Sequence, residues 1–171
     1  MDNHFVILVD ENDAALGTME KHEAHRKALL HRAVSVFIFN SKGEWLLQQR
    51  AKGKYHSNGL WTNTCCTHPY PGESNLLAAE RRLHEEMGMQ CKLKEVFHFI
   101  YKEPLDNGYT EHELDHVFAG YTDEMPVINP EEVMDYKYIS LTNLKYDLEK
   151  NPDNYTVWFR KIVNLYENKL T

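Results

Sequence analysis

The stretch Gly59–Asn75, GLWTNTCCTHPYPGESN, places two adjacent cysteines beside a histidine just before a predicted helix. The thiols of Cys65 and Cys66 could bind a metal together with His68, form a disulfide, fill a core or move a proton. The chain contains three cysteines, an odd number, and two adjacent cysteines make a strained disulfide. The sequence also lacks the paired-cysteine spacing of a structural zinc site. The thiols therefore either fill a core or take part in chemistry.

Carboxylates and further histidines form a second set of candidates. Glu111 and Glu113 are separated by one residue in a predicted strand, so their side chains point to the same face. That geometry suits a shared cation, although on the pattern alone surface charge is the better explanation. His25 and His31 are six residues apart, and a helix would splay them by roughly 120°. They can meet only across a loop or a helix end, and His22 competes with His25 as a ligand.

The predicted helix Ser74–Met87 carries charged side chains at Arg81, Arg82, Glu85 and Glu86. One interpretation is a solvated face with an ion pair between Arg82 and Glu86, four residues apart. The other is a carboxylate pair at the helix end that binds a hard cation such as magnesium, which is usually shared with substrate phosphates. The pattern alone favours the solvated face.

The elements that must position these residues follow from hydrophobic patterns and turn signals. Strands are predicted for FVILV, RAVSVFIFN, EWLLQQR, LWTNTCC, KLKEVFHFIYKE and EHELDHVFAGYT. Ser74 is a candidate N-cap and Gly88 a candidate C-terminal stop for the central helix, and Gly43 supplies a hairpin turn. The tail Leu141–Leu170 is predicted as a short helix, a loop and an amphipathic closing helix. Strands with few helices indicate an α+β protein with helices around a mixed sheet.

Length and composition restrict the class of protein. The 171 residues, of which 42% are hydrophobic and 12% aromatic, favour a single globular domain over residues 1–171. The net charge of −7 argues against nucleic-acid binding and against attachment to anionic lipid by charge. No apolar run approaches the roughly 20 residues of a membrane span. The first apolar run is too short for a signal peptide, so we expect a cytoplasmic protein.

The central helix and the residues before it, HPYPGESNLLAAERRLHEEMGM, resemble the Nudix box, a conserved pattern of glycines and carboxylates. The positions that match are Glu73, Arg81, Leu83, Glu85, Glu86, Gly88 and Met89. Thr67 stands where the pattern has its first glycine, and Arg82 where it has a glutamate. The missing carboxylate weakens the metal cluster of a Nudix hydrolase and so disfavours ordinary hydrolysis.

Three separated segments narrow the resemblance to one branch of that superfamily. GLWTNTCCTHPYPGES, HRAVSVFIFNSKGEWLLQQRAKGK and YTEHELDHVFAG are similar to the type I isopentenyl-diphosphate isomerases, in that family's order and over roughly residues 5–158. The resemblance implies a Nudix-type α/β/α sandwich with a mixed β-sheet. It also implies an isomerase of isoprenoid biosynthesis that converts isopentenyl diphosphate to dimethylallyl diphosphate.

The resemblance assigns catalytic roles to four residues. Cys66 matches the family's acid/base, and on a strand only one of the two adjacent thiols can face the pocket. Glu113 would deliver a proton to the alkene with help from Tyr101. Cys66 would remove another as a thiolate, its pKa depressed by cations and by the helix start. Trp158 would hold its indole over the reacting carbon, a contact that stabilises a desolvated cation by about 2 kcal/mol or more. Trp61 is a further candidate.

The resemblance also assigns two metal sites and a diphosphate site. The family's metal ligands match His25, His31, His68, Glu111 and Glu113. Such a mixed site suits manganese or zinc, although five ligands exceed the four that zinc prefers, and magnesium is not excluded. Glu86 would hold a magnesium ion that bridges to the substrate. The cations that match the family's diphosphate contacts are Lys21, Arg50, Lys54 and Arg82.

Two other functions stay open at this point. One is a Nudix hydrolase that splits a nucleoside diphosphate derivative, and the other is a binder of phosphorylated ligands without turnover. In the favoured interpretation the partner is a small isoprenoid diphosphate, with no nucleic acid or membrane involved, and the protein is a monomer or weak homodimer. We also expect the N-terminal segment and the closing helix to cover the pocket.

Overall fold

The computed structural model describes residues 4–171, and most of its elements are strands. The strands are β1 (Phe5–Val9), β2 (Ala15–Glu20), β3 (His31–Phe39), β4 (Trp45–Arg50), β5 (Trp61–Thr62), β6 (Cys65–Thr67), β7 (Leu93–Pro104), β8 (Thr110–Tyr121) and β9 (Val133–Ile139). The helices are α1 (Lys21–Arg26), α2 (Asn75–Met87), α3 (Leu141–Lys150) and α4 (Val157–Leu170). Short 3-10 turns cover Asp106–Gly108 and Pro152–Asn154.

Strand β3 organises the sheet. It pairs antiparallel with β1, β4 and β6 and parallel with β8, so the sheet is mixed. Its register places His31 beside Glu113 and Ser35 beside Cys66. The strand register therefore brings residues that are far apart in the sequence onto neighbouring backbone positions of the sheet.

Alternating side chains of β3 fill two cores on opposite faces of the sheet. Phe37 and Phe39 pack in the core that α3 and α4 cover, which contains Phe159 of α4. Val36 and Ile38 pack in the other core, which α2 covers. Helices on both faces of a mixed sheet confirm the predicted α/β/α sandwich of the α+β class. That residues 1–171 form a single domain stays a prediction.

Helix α2 begins and ends where the sequence predicts. The Ser74 hydroxyl oxygen accepts a hydrogen bond from the backbone N–H of Leu77 at 3.2 Å, which caps the helix. Gly88 ends the helix with φ of 62°, in the left-handed region. A Cβ at that position would lie 2.5 Å from the carbonyl oxygen of Val127. Both the backbone angle and the lack of space therefore require glycine there.

The structure contains elements that the sequence did not predict. The segment after β1 contains a turn and then strand β2, and strand β9 precedes the two predicted C-terminal helices. Helix α1 follows directly, and because it ends at Arg26, His25 lies in its last turn while His31 begins β3. That arrangement supplies the helix end that the two histidines require. The single strand expected over LWTNTCC is two short strands, β5 and β6.

Candidate active site

The two adjacent cysteines point to opposite faces of β6. The Cys65 side chain is fully buried in the core beneath α2. Cys66 packs on the other face and lines an open pocket. The pocket therefore receives one thiol only, as the strand geometry predicts.

The Cys66 thiol is held by polar neighbours and carries its proton. Its Sγ lies 3.2 Å from Asn63 Nδ2 and 3.3 Å from Asn63 Oδ1, an atom that can only accept a hydrogen bond. Burial, followed by the negative charge of Asp115, raises the pKa of the thiol to about 12. These effects outweigh the hydrogen bonds that the thiol shares with Ser35 and Asn63, which lower its pKa. Burial and Asp115 thus raise the pKa of this thiol in the protein without a bound ion, whereas the sequence predicted that cations and the helix start would lower it.

Three imidazole rings meet at the inner end of the pocket. The ring centroids are 4.8 Å apart for His25 and His31 and 5.0 Å apart for His31 and His68. His25 Nδ1 lies 2.7 Å from the Lys21 carbonyl oxygen, and His31 Nδ1 lies 2.8 Å from that of Leu29. Since a carbonyl oxygen can only accept a hydrogen bond, the His25 and His31 rings each carry their proton on Nδ1. Each of these two rings therefore offers a free Nε2 as a metal ligand.

The structure distinguishes between His22 and His25 as candidate metal ligands, which the sequence alone could not do. His25 is fully buried within the group of rings. His22 is half-buried, and its Nδ1 lies 3.2 Å from the hydroxyl oxygen of Tyr109. Only His25 therefore belongs to the groups of side chains within reach of one metal ion in the part of the chain that the structure describes.

The two glutamates of β8 face these rings. Glu113 Oε1 lies 2.9 Å from His68 Nε2 and 3.5 Å from His31 Nε2. Glu111 Oε2 lies 3.4 Å from His25 Nε2. His25, His31, His68, Glu111 and Glu113 together are called the His/Glu cluster below.

The electrostatics of the two glutamates are opposite. Burial, and then the charge of Glu113, raise the pKa of Glu111 well above its usual value. Burial also raises the pKa of Glu113, but the contacts with the neighbouring His31 and His68 rings outweigh it and hold that pKa well below its usual range. Glu113 Oε2 also accepts a hydrogen bond from the Tyr101 hydroxyl at 2.7 Å. Glu113 is therefore the carboxylate of the pair, and Tyr101 holds it.

The His/Glu cluster fits a divalent metal ion. The buried atoms His25 Nε2, His31 Nε2 and Glu111 Oε2 have no hydrogen-bond partner within residues 4–171. Candidate ligand atoms of His25, His31, His68 and Glu113 all lie within 4.8 Å of one another. Buried polar atoms without partners are costly, and a cation would satisfy them.

Charged side chains at the outer end of the pocket are paired with one another. Glu86 is buried, and its carboxylate accepts a hydrogen bond from Gln48 Nε2 and lies 2.6 Å from Arg82 Nη2. Glu132 lies 2.9 Å from the same guanidinium nitrogen and forms a close ion pair with Lys54. Lys54, Arg82, Glu86 and Glu132 are called the charged rim below. The two cations of the rim, both predicted diphosphate contacts, are thus held by carboxylates.

The remaining predicted residues lie around the same pocket, with one exception. Lys21, Arg50 and Trp158 line it, and the Arg50 guanidinium carbon lies 5.4 Å from the centre of the Trp158 ring. His25 and His31 are buried behind the wall. Trp61 packs against the ammonium of Lys137 at 4.3 Å, which is a structural position.

Several residues of the site escaped the sequence analysis, among them Tyr55, His56 and Asp115. His56 and Tyr55 lie in a polar segment between β4 and β5 that reads as a surface loop, yet both line the pocket. The His56 pKa is lowered to about 2 by burial and by the charge of Arg50. Asp115 follows Glu111 and Glu113 at the same alternating spacing of β8, and that periodicity could have revealed it.

Comparison with known proteins identifies close relatives. A family model for the NUDIX domain matches residues 29–159. An isopentenyl-diphosphate Delta-isomerase of Pectobacterium atrosepticum is 56% identical over 155 residues, which cover 91% of this chain and 87% of the relative. Isopentenyl-diphosphate Delta-isomerase 2 of Photorhabdus laumondii is 51% identical over 162 residues, covering 95% of this chain and 92% of the relative.

Solved structures with lower identity share the architecture. DR0079 from Deinococcus radiodurans has a TM-score of 0.79 at 18% identity, covering 94% of this chain and 97% of that one. The MutT protein from Methanosarcina mazei has a TM-score of 0.67 at 20% identity, covering 82% and 94%. At these identities the likeness shows the fold alone. Among the helices that the structure describes, none is long and apolar enough to cross a membrane.

Proposed function

This chain belongs to the isopentenyl-diphosphate Delta-isomerase family of the Nudix superfamily, and we propose that it is an enzyme that interconverts isopentenyl and dimethylallyl diphosphate. The observation that carries the proposal is the lining of one pocket by the Cys66 thiol, the Glu113–Tyr101 pair and the Trp158 indole. These side chains supply an acid, a base and an aromatic ring to the same pocket.

The proposed reaction moves a double bond by adding one proton and removing another. A proton joins the terminal CH₂ carbon of isopentenyl diphosphate, and the alkene electrons form the new C–H bond. A tertiary carbocation results. Loss of a proton from the neighbouring CH₂ group then supplies the electrons of the new internal double bond. Such a reaction needs an acid, a base and the exclusion of water, which would otherwise trap the cation as an alcohol.

Cys66 and Glu113 are the proposed acid and base. Since Sγ of Cys66 has Asn63 Oδ1 as a hydrogen-bond acceptor, the resting thiol holds a proton that it can give to the alkene. Glu113, an acceptor held by Tyr101, takes up the proton that the substrate loses. The sequence resemblance assigned the two residues the opposite roles for this direction, with Glu113 as the donor and Cys66 as the acceptor, and in the reverse direction the proposed roles exchange. The buried indole of Trp158 stabilises the cation through its ring face.

The proposed metal site is the His/Glu cluster, whose free Nε2 and carboxylate oxygens are ligands for manganese or zinc, or for magnesium. A bound divalent ion would supply positive charge that balances Glu111 and Glu113. Glu86 is the proposed ligand of a magnesium ion that bridges to the diphosphate. Lys21, Arg50, Lys54 and Arg82 are the proposed diphosphate contacts, and all four line the pocket.

The alternative of nucleotide hydrolysis is disfavoured by the charged rim. Arg82 occupies a carboxylate position of the Nudix box and pairs with Glu86, which leaves fewer anions for the metal cluster of a hydrolase. A cytoplasmic location and a monomeric or weakly dimeric state remain predictions.

Proton NMR in heavy water tests the proposal. Protein loaded with manganese is mixed with isopentenyl diphosphate and magnesium, and the alkene signals are followed. Dimethylallyl signals with deuterium incorporation are expected, and the Cys66→Ala variant should lose this activity. An unchanged alkene with phosphate release would indicate a hydrolase instead. No reaction despite tight substrate binding would indicate the non-catalytic binder.

A further inference from the structure

His56 is a buried histidine that lies outside the His/Glu cluster. It belongs to the segment between β4 and β5, and only 4% of its surface is exposed. The next residue, Ser57, adopts φ of 52°, a left-handed conformation that is unfavourable for a residue with a side chain. Strained backbone of this kind persists where surrounding contacts enforce it, and it concentrates at functional sites.

The contacts of His56 determine how its ring is oriented. Its Nδ1 lies 3.0 Å from the hydroxyl oxygen of Ser57, and its Nε2 lies 3.3 Å from Glu111 Oε1. If the serine donates to Nδ1, the ring proton is on Nε2 and faces the carboxylate. The backbone carbonyl of His56 accepts a hydrogen bond from Arg50 Nη2 at 3.2 Å. The residue is thus fixed at its backbone and at both ring nitrogens.

The same ring packs against the indole of Trp158. The two ring centroids are 5.8 Å apart with an angle of 86° between the planes, an edge-to-face contact. His56 therefore touches a glutamate of the His/Glu cluster and the aromatic face of the pocket at once.

We propose that His56 is a positioning residue that holds Glu111 through Oε1, so that Oε2 faces the metal site, and that holds the Trp158 indole in place. This inference rests on the proposed function for the role of the indole. The contact with Glu111 stands independently, because it concerns only the metal site.

Direct metal binding by His56 is the alternative, and the geometry disfavours it. His56 reaches only His25 and Glu111 among the possible ligands in the described chain, whereas His31, His68 and Glu113 form their group with His25. His25 offers a single free nitrogen, because its Nδ1 is bound to the Lys21 carbonyl. A second ion at His56 would therefore compete for that nitrogen, so we expect one metal ion in the cluster.

Metal binding and fluorescence test the inference without requiring turnover. His56→Ala should leave the number of manganese ions bound to the cluster unchanged and weaken their affinity by about ten- to a hundredfold in a chelator competition, as is typical for partners of metal ligands. His56→Gln keeps a donor for Glu111 and should recover most of the affinity. His56→Phe keeps the aromatic edge only, so it should retain the tryptophan emission that the other two variants shift.

Activity provides a second readout. In the manganese-loaded enzyme we expect His56→Ala to lower kcat by about ten- to a hundredfold with little change in KM, since Arg50 is bound by the backbone carbonyl of residue 56, which the substitution retains. His84→Ala, at an exposed histidine of α2, is the matched control and should behave as wild type. Thermal unfolding identifies any variant that does not fold, in which case His56→Gln and His56→Phe carry the test.

Two results would overturn the inference. Loss of one bound metal ion per chain in all three folded variants would make His56 a ligand. Wild-type affinity and wild-type emission in His56→Ala would remove any positioning role. If wild-type protein does not isomerise the substrate but the affinity pattern holds, the proposed function fails and the contact with Glu111 stands.

Discussion

At the inner end of the pocket, the His/Glu cluster presents buried nitrogen and oxygen atoms that have no hydrogen-bond partner in residues 4–171, such as His25 Nε2 and Glu111 Oε2. At the outer end, the charged rim holds each cation against carboxylates, as in the pairing of Arg82 with Glu86 and Glu132. Both regions place polar and charged side chains in one pocket. The His/Glu cluster leaves several buried ligand atoms without a partner, whereas the cations and carboxylates of the charged rim pair with one another.

The difference indicates how each region receives its ligand. Leaving a buried polar atom unpaired costs about 1–3 kcal/mol, so the His/Glu cluster gains stability when a cation enters. In the charged rim the carboxylates are already paired with cations, and Arg82 Nε is the one buried rim atom without a hydrogen-bond partner in residues 4–171. An incoming diphosphate must therefore replace Glu132 as the partner of Lys54 and Arg82. Metal binding should therefore stabilise the fold strongly, whereas anion binding should exchange one set of ion pairs for another.

The largest effect is expected from Glu113→Gln. This change removes the carboxylate that contacts His68 and Tyr101, so both proton transfer and metal binding lose a group. We expect kcat to fall by about 10³-fold or more, within the range for a lost general acid or base combined with weaker metal binding. Steady-state kinetics with added manganese measure it. Glu80→Gln, at an exposed carboxylate of α2, is the control, and a loss below tenfold in Glu113→Gln would contradict the assignment.

Metal removal should affect stability through the His/Glu cluster alone. With free manganese at 100 times its dissociation constant, bound metal stabilises the native state by about 2.7 kcal/mol. Urea unfolding with and without a chelator measures this increment. In His68→Gln the increment should shrink markedly, because a ligand is lost, while Glu132→Gln in the charged rim should retain it. An equal increment in all three proteins would place the metal elsewhere.

The pH dependence of stability should separate the two regions once metal is removed. Burial lowers the pKa of His68 to about 3 even though Glu113 raises it, so the ring is neutral in the folded protein. In the unfolded chain it takes up a proton below its ordinary pKa of about 6.5. The unfolded state then binds more protons, and stability falls as pH drops below about 6.5, by about 1 kcal/mol at pH 5.5.

The charged rim responds in a lower pH range. Burial raises the pKa of Glu132, but Arg82 and Lys54 outweigh it, so the pKa in the folded state lies below the ordinary 4.5. Its stabilising contribution is present above that value and is lost as pH falls below it. His68→Gln should therefore reduce the slope of the stability profile between pH 7 and 5.5, leaving the part that the buried His56 contributes, and Glu132→Gln should change the profile only below about pH 4.5. Urea unfolding at a series of pH values measures the free energy of unfolding of each variant. The two assignments would be contradicted if both variants changed this free energy over the same pH range.

The sequence predicted the parts of this comparison that depend on local pattern. Alternation along a strand separates Cys65 from Cys66, and it places Glu111 and Glu113 on one face, because successive side chains point in opposite directions. The bounds of α2 follow from Ser74 and Gly88. These signals lie in neighbouring residues and need no knowledge of the tertiary structure.

The parts that the sequence did not predict depend on contacts between distant segments. Glu132 precedes β9 and meets Arg82 of α2 only because the chain folds over the sheet. The proton on Cys66 depends on burial and on Asp115, which belongs to β8. His56 lies among polar residues and becomes buried only against Glu111 and Trp158. Charge state and partner choice therefore required the three-dimensional arrangement.

The smallest expected effect concerns the internal pairing of the charged rim. Glu132→Gln removes the anion that Lys54 and Arg82 share, so an incoming diphosphate no longer has to displace it. We expect KM to fall about three- to tenfold with kcat nearly unchanged, and inorganic diphosphate to inhibit more strongly by a similar factor. Glu131→Gln, at the exposed neighbouring residue, should leave both constants unaltered. A rise in KM would instead mean that Glu132 holds Lys54 and Arg82 in the position that the substrate needs. The charged rim would then resemble the His/Glu cluster, whose ligand atoms are in place before the ligand binds.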